Sequence, residues 1–207
     1  MRYLKYAQMV MLSMVLTCLL LHSPAQAITV TVDPVAQNVT LGNQATVGIM
    51  IYGYAPGPLV NLAVGGYDFS INYNPTILSF KSLSFGTSLG YPTDSNATYL
   101  NNPVSGILQI SEYSDLSASE LYALQGQQWP DDTFIAATIT FNTLGSGVSP
   151  LSVDINSLLT EKRENFDGTY SDPGSLTVSS VPEPSTFLLL GAGIGGVAIL
   201  RRKNRKP

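Results

Sequence analysis

Apolar and polar side chains alternate at every second position through most of residues 28–178. The longest such run is Tyr67–Tyr73, in which four large apolar residues alternate with Asp, Ser and Asn. Because successive side chains of a β-strand point to opposite faces, this alternation gives each strand one buried face. Turn-forming pairs such as Asp33-Pro34, Gly42-Asn43 and Asn74-Pro75 end several of the runs. The pattern predicts an all-β protein, an antiparallel β-sandwich of about nine short strands.

The apolar rows of these strands are also the predicted core. They are Ile28, Val30 and Val32; Val39 and Leu41; Val47, Ile49 and Ile51; Tyr67, Phe69, Ile71 and Tyr73; Leu78, Phe80, Leu83 and Phe85; Ile135, Ala137, Ile139 and Phe141; Leu151, Val153 and Ile155; and Leu176 and Val178. A further strand is predicted at Ile107–Ser111. The polar segment Gly90–Pro103 is predicted to be a long surface loop.

One short helix is predicted among the strands. Ser117-Ala118-Ser119-Glu120 has the form of a capping box, in which the first and fourth side chains satisfy the free N–H groups of a helix start. Leu121 and Leu124 follow on one helical face. Since glycine commonly follows the last turn of a helix, Gly126 is the predicted end.

The first 27 residues have the order of a secretory signal peptide. Arg2 and Lys5 precede the apolar run Met9–Leu21, and Ala25 and Ala27 form a small-x-small cleavage site. Residues 1–27 are therefore predicted to be removed on export, which makes Ile28 the first mature residue.

The C-terminal residues have the order of a membrane stop. Residues 186–200 contain no charge and are predicted to form a transmembrane helix, and the basic residues of 201–207 would keep that end cytoplasmic. The core apolar run, Phe187–Leu200, would span roughly 21 Å of a hydrocarbon layer that is about 30 Å thick. So short a span fits either a briefly held, processed tail or a permanent anchor, and both interpretations stay open.

This tail resembles the PEP-CTERM sorting signal of exported Gram-negative bacterial proteins. The resemblance rests on the motif Val181, Pro182, Glu183 and Pro184, the short Gly-rich helix and the terminal basic cluster, all within residues 179–207. It implies an exosortase as partner, cleavage near the motif and an intermediate tethered in the inner membrane. It also implies a final place at the cell surface or in the extracellular matrix of a biofilm.

A second resemblance covers residues 28–178. Gly66–Pro75, followed by Ile77-Leu78-Ser79-Phe80, looks like the central hairpin of cohesin-like domains, in which an aromatic strand enters a Tyr-Asn-Pro or Tyr-Asp-Pro turn. The resemblance implies a nine-stranded jelly-roll sandwich. Dockerin binding, for which that family is best known, is not carried over, because this chain contains neither a dockerin nor a scaffold repeat.

Charge and composition narrow the function classes. Thirteen acidic residues but only Lys81, Lys162 and Arg163 lie between Ile28 and Val181, a formal balance of −10, which argues against nucleic acid as a partner. The one cysteine and the one histidine both fall within the signal peptide. The mature domain therefore has no means of forming a disulfide, a Ser-His-Asp triad or a His- or Cys-ligated metal site. No cofactor is expected.

Carboxylate side chains leave two hypotheses open, a calcium site and a catalytic pair. Asp131 and Asp132 could bind calcium together with loop carbonyls, although a solvated turn is the expected role of this pair. Glu112 and Asp115 could form the carboxylate pair of a small glycoside-active enzyme. No catalytic residue is assigned.

Exposed aromatic residues are the remaining candidates. Stacking faces for sugars could come from Tyr52, Tyr54, Tyr91, Tyr99, Tyr113 and Trp129, although some of these side chains could instead fill the core. The predicted function is non-catalytic interaction or adhesion at the cell surface, with another surface protein or a polysaccharide as partner. The alternatives are a carbohydrate-binding module for exopolysaccharide and, third, the enzyme.

Overall fold

Two β-sheets packed face to face make up the fold. The computed structural model describes residues 28–53, 56–57, 60–61, 63–128, 133–166 and 168–180. The first strands are β1 (Thr29–Asp33), β2 (Ala36–Thr40), β3 (Gln44–Tyr52), β4 (Pro56–Gly57), β5 (Val60–Asn61), β6 (Val64–Asn72), β7 (Leu78–Phe85), β8 (Ser95–Asn102) and β9 (Ile107–Ser114). They are followed by α1 (Ala118–Gln128), β10 (Thr133–Thr143), β11 (Gly147–Thr160), β12 (Tyr170–Asp172) and β13 (Gly174–Ser179).

Eleven of the described strands form the two main sheets. One sheet has the order β12-β1-β3-β10-β7, and the other has the order β2-β13-β11-β6-β9-β8, while β4 and β5 pair separately. The predicted all-β sandwich with one short helix is confirmed. Most pairs are antiparallel, but β1 with β12 and β2 with β13 are parallel. Both exceptions arise because the first strand is split at Asp33-Pro34, so that each half joins a different sheet beside a C-terminal strand.

The core lies between the sheets and contains most of the predicted apolar rows. Tyr67, Phe69 and Ile71 are fully buried on β6, and they face the buried row of β3 and β10 across the sandwich. The Tyr67 and Phe69 rings stack with centroids 4.7 Å apart. Burial of such side chains contributes about 1.5–3 kcal/mol each, so these rows supply much of the driving force for folding.

The predicted inward position of Ile135 is wrong. The register of β10 against β3 shifts between Ile135 and Ala137, which is the mark of a β-bulge. Both Ala136 and Ala137 are buried, and on the N-terminal side of the bulge Phe134, not Ile135, points into the core. An extra residue reverses the alternation of a strand, so a strict period of two fails at this point.

The segment predicted as the loop Gly90–Pro103 contains the edge strand β8. It pairs with β9 from Ser95 to Asn102 and has only one neighbour in its sheet. Edge strands bury little and tolerate polar residues, which is why the hydrophobic pattern of this strand is faint.

Helix α1 begins within the predicted capping box, directly after Ser117, and extends beyond the predicted end at Gly126. The Glu120 carboxylate accepts hydrogen bonds from both the N–H and the hydroxyl of Ser117, at 2.9 and 2.6 Å. The helix continues through Gly126 to Gln128. Within the described residues, no helix is long and apolar enough to cross a membrane. The predicted signal peptide at 1–27 and helix at 186–200 lie outside those residues.

Candidate functional site

The outer surface of the six-stranded sheet carries an ordered array of polar side chains. We call the outward-pointing side chains of β8, β9, β6 and β11 the network face. On β6 the side chains of Asp68, Ser70 and Asn72 point outward, because the residues that alternate with them are buried in the core. Flanking strands place polar residues beside them, so the pleat itself aligns the array.

Hydrogen bonds connect this array across three strands. The Gln109 side-chain amide on β9 donates to both carboxylate oxygens of Asp68, at 3.1 and 3.2 Å. From the other side, the Asn156 amide on β11 donates to Asp68 and to the Ser70 hydroxyl, each at 2.9 Å. Asn156 is the extra residue of a bulge in β11, which is why one side chain reaches two residues of β6.

A second branch extends the array along β6. The Asn72 amide donates to Asp154 at 2.8 Å and to the Ser152 hydroxyl at 3.2 Å. Side chains that are held in this way lose less conformational entropy when they bind a ligand. The network face is therefore organised before any partner arrives.

One corner of the network face is apolar. Leu100 on β8 and Ile107 on β9 both point outward, with 68% and 37% of their surfaces exposed, and Val104 in the connecting turn is 89% exposed. We call these three residues the apolar corner. Exposed apolar side chains beside an ordered polar surface are typical of protein interfaces.

The outer surface of the five-stranded sheet has a different character. Several of its central residues carry small hydroxyl side chains, and the hydroxyl oxygens of Thr46 and Thr140 lie 3.3 Å apart. The neighbouring outward positions on β7 and β10 are Ser82, Ser84 and Thr138. Because these short side chains offer little contact area, this part of the surface is the weaker candidate for a protein interface. Two larger apolar side chains, Met50 and Ile135, point outward farther along β3 and β10, and both are partly buried.

Glu112 lies in the core and not on either outer surface. Only 1% of the residue is exposed. Its carboxyl group is within hydrogen-bond distance of the Tyr67 hydroxyl, at 3.0 Å, and accepts from the Ser95 hydroxyl at 2.7 Å. Asp115, its partner in the enzyme hypothesis, is exposed and accepts a hydrogen bond from Asn96 at 2.8 Å. The two carboxyl groups therefore do not face a common open cleft.

Burial raises the pKa of the Glu112 carboxyl, and the hydrogen bonds from Ser95 and Tyr67 offset only part of that shift. The pattern of hydrogen bonds agrees. The Tyr67 hydroxyl has one hydrogen but lies near two acceptors, Glu112 and, at 2.9 Å, the carbonyl of Ala136. Because that single hydrogen is shared between Glu112 and the Ala136 carbonyl, Tyr67 compensates only part of a negative charge on Glu112.

This pKa shift makes stability depend on pH. An acid whose pKa is raised in the folded protein holds its proton more tightly there than in the unfolded chain. Its contribution to the unfolding free energy is therefore complete at pH values below the pKa of the unfolded state. The contribution is lost as the pH rises from the usual value of 4.5 through the raised folded pKa. We expect the unfolding free energy of the wild type, minus that of Glu112→Gln, to fall over this range. Urea denaturation at a series of pH values measures the difference. A difference that grows with pH would mean that Glu112 is ionised in the folded protein.

Four of the six predicted glycan-binding aromatic residues are described by the structure, and they lie in four separate places. Tyr113 covers Gly66 on the network face, and Tyr99 packs against Phe80 where the two sheet edges meet, with ring centroids 5.5 Å apart. Tyr52 is at the end of β3, and Tyr91 precedes β8. The structure does not bring these four tyrosines together into one stacking platform. Outside the described residues lie Tyr54, Trp129, Asp131, Asp132, the motif Val181–Pro184 and the cleavage-site residues Ala25 and Ala27.

Two surface grooves each combine a tyrosine with carboxylates. The larger one, about 510 Å³, lies between α1 and the segment joining β7 to β8, and we call it the helix groove. Tyr91, Asp94 and Glu120 are among its lining residues. The smaller one, about 370 Å³, contains Tyr52 with two aspartates. In the described part of the chain, no group of three or more acidic, histidine or cysteine side chains is placed to hold a metal ion.

Sequence patterns had indicated Tyr91 alone. Asp94 lies three positions from Tyr91 in the same segment, but Glu120 becomes a neighbour only through the tertiary fold, which brings that segment before β8 against a helix after β9. Glu112, in contrast, carried a usable signal. It continues the inward alternation of Leu108 and Ile110 along β9, and that parity predicts burial.

Comparisons with known proteins bear on two parts of the chain, the C-terminal motif and the β-sandwich. Residues 180–204 match the family model of the PEP-CTERM protein-sorting motif. No curated protein matches the chain. A PEP-CTERM motif indicates an exported protein that is sorted to the cell envelope or surface.

Solved structures of cohesins have the same fold. The seventh ScaB type I cohesin from Pseudobacteroides cellulosolvens is 20% identical, with a TM-score of 0.54 over 76% of this chain and 96% of that one. A chain of a type I cohesin–dockerin complex from Clostridium thermocellum is 13% identical, with a TM-score of 0.56 over 74% of this chain and 99% of that one. This chain thus carries a PEP-CTERM protein-sorting motif next to a β-sandwich with the fold of cohesin domains.

Proposed function

We propose that the protein is a surface-displayed binding module whose sandwich recognises a partner protein through the network face. The observation that carries this proposal is the exposed apolar corner beside a polar array already ordered by its own hydrogen bonds. Protein interfaces combine these two features, because buried apolar side chains supply affinity and fixed polar groups supply specificity. The cohesin-like fold supports this proposal, since one of the similar structures is itself a complex with a partner protein.

The proposed route to the surface has three stages. Residues 1–27 direct export and are removed, residues 28–178 fold outside the cytoplasm, and residues 179–207 hold the chain in the inner membrane through a helix at 186–200. An exosortase then recognises Val181–Pro184 and releases the sandwich to the cell surface or matrix. The match of residues 180–204 to the sorting motif supports this sequence of events.

Adhesion to a matrix protein fits this proposal better than polysaccharide binding does. Polysaccharide modules present aligned aromatic side chains, whereas the described tyrosines of this chain are dispersed over the surface. An enzymatic role has less support still, because Glu112 is buried in the core.

Site-specific photo-crosslinking on cells of the producing organism tests the proposed interface. A photoreactive side chain replaces Gln109 on the network face in one variant and Thr140 on the opposite surface in a matched control. We expect a discrete protein adduct from position 109 with a yield at least about tenfold above that from position 140, since a crosslink forms only within the buried interface. Equal yields from both surfaces, or an adduct with glycan in place of protein, would contradict the proposal.

A further inference from the structure

The walls of the helix groove are fixed by contacts to the core. Leu89, in the segment between β7 and β8, is buried, and the preceding Ser88 carbonyl accepts a hydrogen bond from Gln125 of α1 at 3.2 Å. On the other side, the Asp115 N–H donates to the Asp94 carbonyl at 2.9 Å. These contacts link three segments of chain around the groove, so its volume of about 510 Å³ is preformed.

The lining of the helix groove combines an aromatic ring with an aliphatic wall. Tyr91 is 38% exposed and is supported from behind by Phe85, with ring centroids 5.5 Å apart. Leu116, Ala123 and Leu124 line the adjoining surface. Such a lining accommodates an aliphatic stem beside a group that interacts with a π face.

Two carboxylates complete the helix groove, and neither is neutralised. Glu120 Oε2 is engaged by Ser117, which leaves Oε1 available, and these hydrogen bonds lower the pKa of Glu120, so that it is charged at neutral pH. Asp94 accepts one hydrogen bond, from the Thr93 hydroxyl at 2.7 Å. Among the described residues, no lysine or arginine forms an ion pair with either carboxylate or lines the groove.

The net charge of the whole domain is also negative. Between Ile28 and Val181, acidic residues outnumber basic residues thirteen to three. A negative groove in a negative domain attracts cations and repels anions over distances of about a Debye length, roughly 8–10 Å at physiological salt.

We propose that the helix groove binds the side chain of an arginine or lysine presented by a partner protein. The cationic head lies between Asp94 and Glu120 against the ring of Tyr91, and the aliphatic stem packs on Leu116 and Leu124. A neutral sugar would also stack on Tyr91, but it would leave both negative charges uncompensated. This inference rests on the proposed function as a protein-binding module, and it adds a second contact point at the end of the sandwich beside α1.

The test uses the full-length protein in detergent and two short peptides that differ only in charge. One is acetyl-Gly-Arg-Gly-amide, and the other contains citrulline, which is nearly isosteric with arginine but neutral. Binding is followed by NMR signals of Tyr91 and Leu124. We expect the arginine peptide to bind at least about tenfold more tightly than the citrulline peptide at low salt, with the difference shrinking as salt is added.

Charge-neutral variants locate the site. Asp94→Asn and Glu120→Gln are each expected to weaken arginine binding by at least about threefold, and glutamine at position 120 preserves the helix cap. Asp172→Asn, in the smaller groove, is the matched control and should leave binding unchanged. Equal binding of the two peptides, shifts caused by a neutral β-glucan hexasaccharide alone, or no shifts at all would overturn the proposal. The crosslinking experiment at Gln109 is independent of these results, so failure of one proposal is distinguishable from failure of the other.

Discussion

A Gln125→Leu variant is expected to lose about 3–5 kcal/mol of unfolding free energy, because a buried polar group without its partner costs about 1–3 kcal/mol and this change removes the side-chain partner of both the N–H and the carbonyl of Val64. Gln125 is fully buried on α1. Its amide nitrogen donates to the carbonyls of Val64, at 2.7 Å, and Ser88, at 3.2 Å. Its amide oxygen accepts from the Val64 N–H at 3.0 Å.

The Gln125 side chain thus makes the two backbone hydrogen bonds to Val64 that a neighbouring strand would otherwise make. Both the N–H and the carbonyl of Val64 are satisfied by the same amide group, at the start of the central strand β6. Leucine has a similar size and a higher helix propensity, so the loss is attributable to the missing hydrogen bonds.

Urea denaturation of the purified protein measures this loss. Gln109→Leu is the matched control, because the Gln109 side chain hydrogen-bonds to Asp68 on the half-exposed network face, and Asp68 keeps its bond to Asn156. The control should change stability by less than about 1 kcal/mol. A Gln125→Leu effect as small as that of the control would mean that α1 is not held to the sandwich by this amide.

The second large effect is expected at Gly86, which follows β7. A Cβ atom at this position would overlap the carbonyl oxygen of Ile135 and lie 3.0 Å from its carbon. The Gly86 N–H donates to the Ala136 carbonyl at 2.8 Å, so the two segments cannot separate without losing a hydrogen bond. We expect Gly86→Ala to cost about 2–3 kcal/mol, as overpacking against a fixed backbone does.

Gly126→Ala provides the opposite result within the same protein. Gly126 lies inside α1, is exposed, and would place a new Cβ in open space. Alanine there should stabilise the protein by about 0.5–1 kcal/mol, since glycine is the poorer helix former. Melting temperatures that move in the same direction for both variants would contradict the packing described at one of the two sites.

The fold could be predicted from the sequence wherever a strand is buried on one face only. Tyr67–Tyr73 and the rows of β3 and β11 show this, because burial enforces a strict period of two. The prediction failed at Ile135, where a bulge changes the parity, and at β8, where an edge strand needs few apolar residues. In both places the information lies in a neighbouring strand and not in the segment itself.

The candidate surfaces were harder to predict, for a similar reason. Gln125 has the sequence appearance of an exposed helical residue, and its partner Val64 is 61 positions away. Asn156 reaches Asp68 only because a bulge places it there. Contacts of this kind depend on register, which hydrophobic periodicity does not specify.

The network face and the helix groove lie on different parts of the sandwich, and both carry exposed negative charge. Asp68 and Asp154 lie on the first, and Asp94 and Glu120 on the second. A partner with a basic surface would therefore be attracted to the sandwich before it makes close contact, and its association rate should decrease as salt is added.

The intact mass of the mature protein from the surface of its native host tests the central claim most directly. The account predicts a chain that begins at Ile28 and ends between Pro182 and Pro184, which corresponds to an exported and sorted sandwich. A mass that still includes Arg201–Pro207 would show a permanent anchor and contradict sorting at the motif. A mass that includes residues 1–27 would contradict export through a cleaved signal peptide.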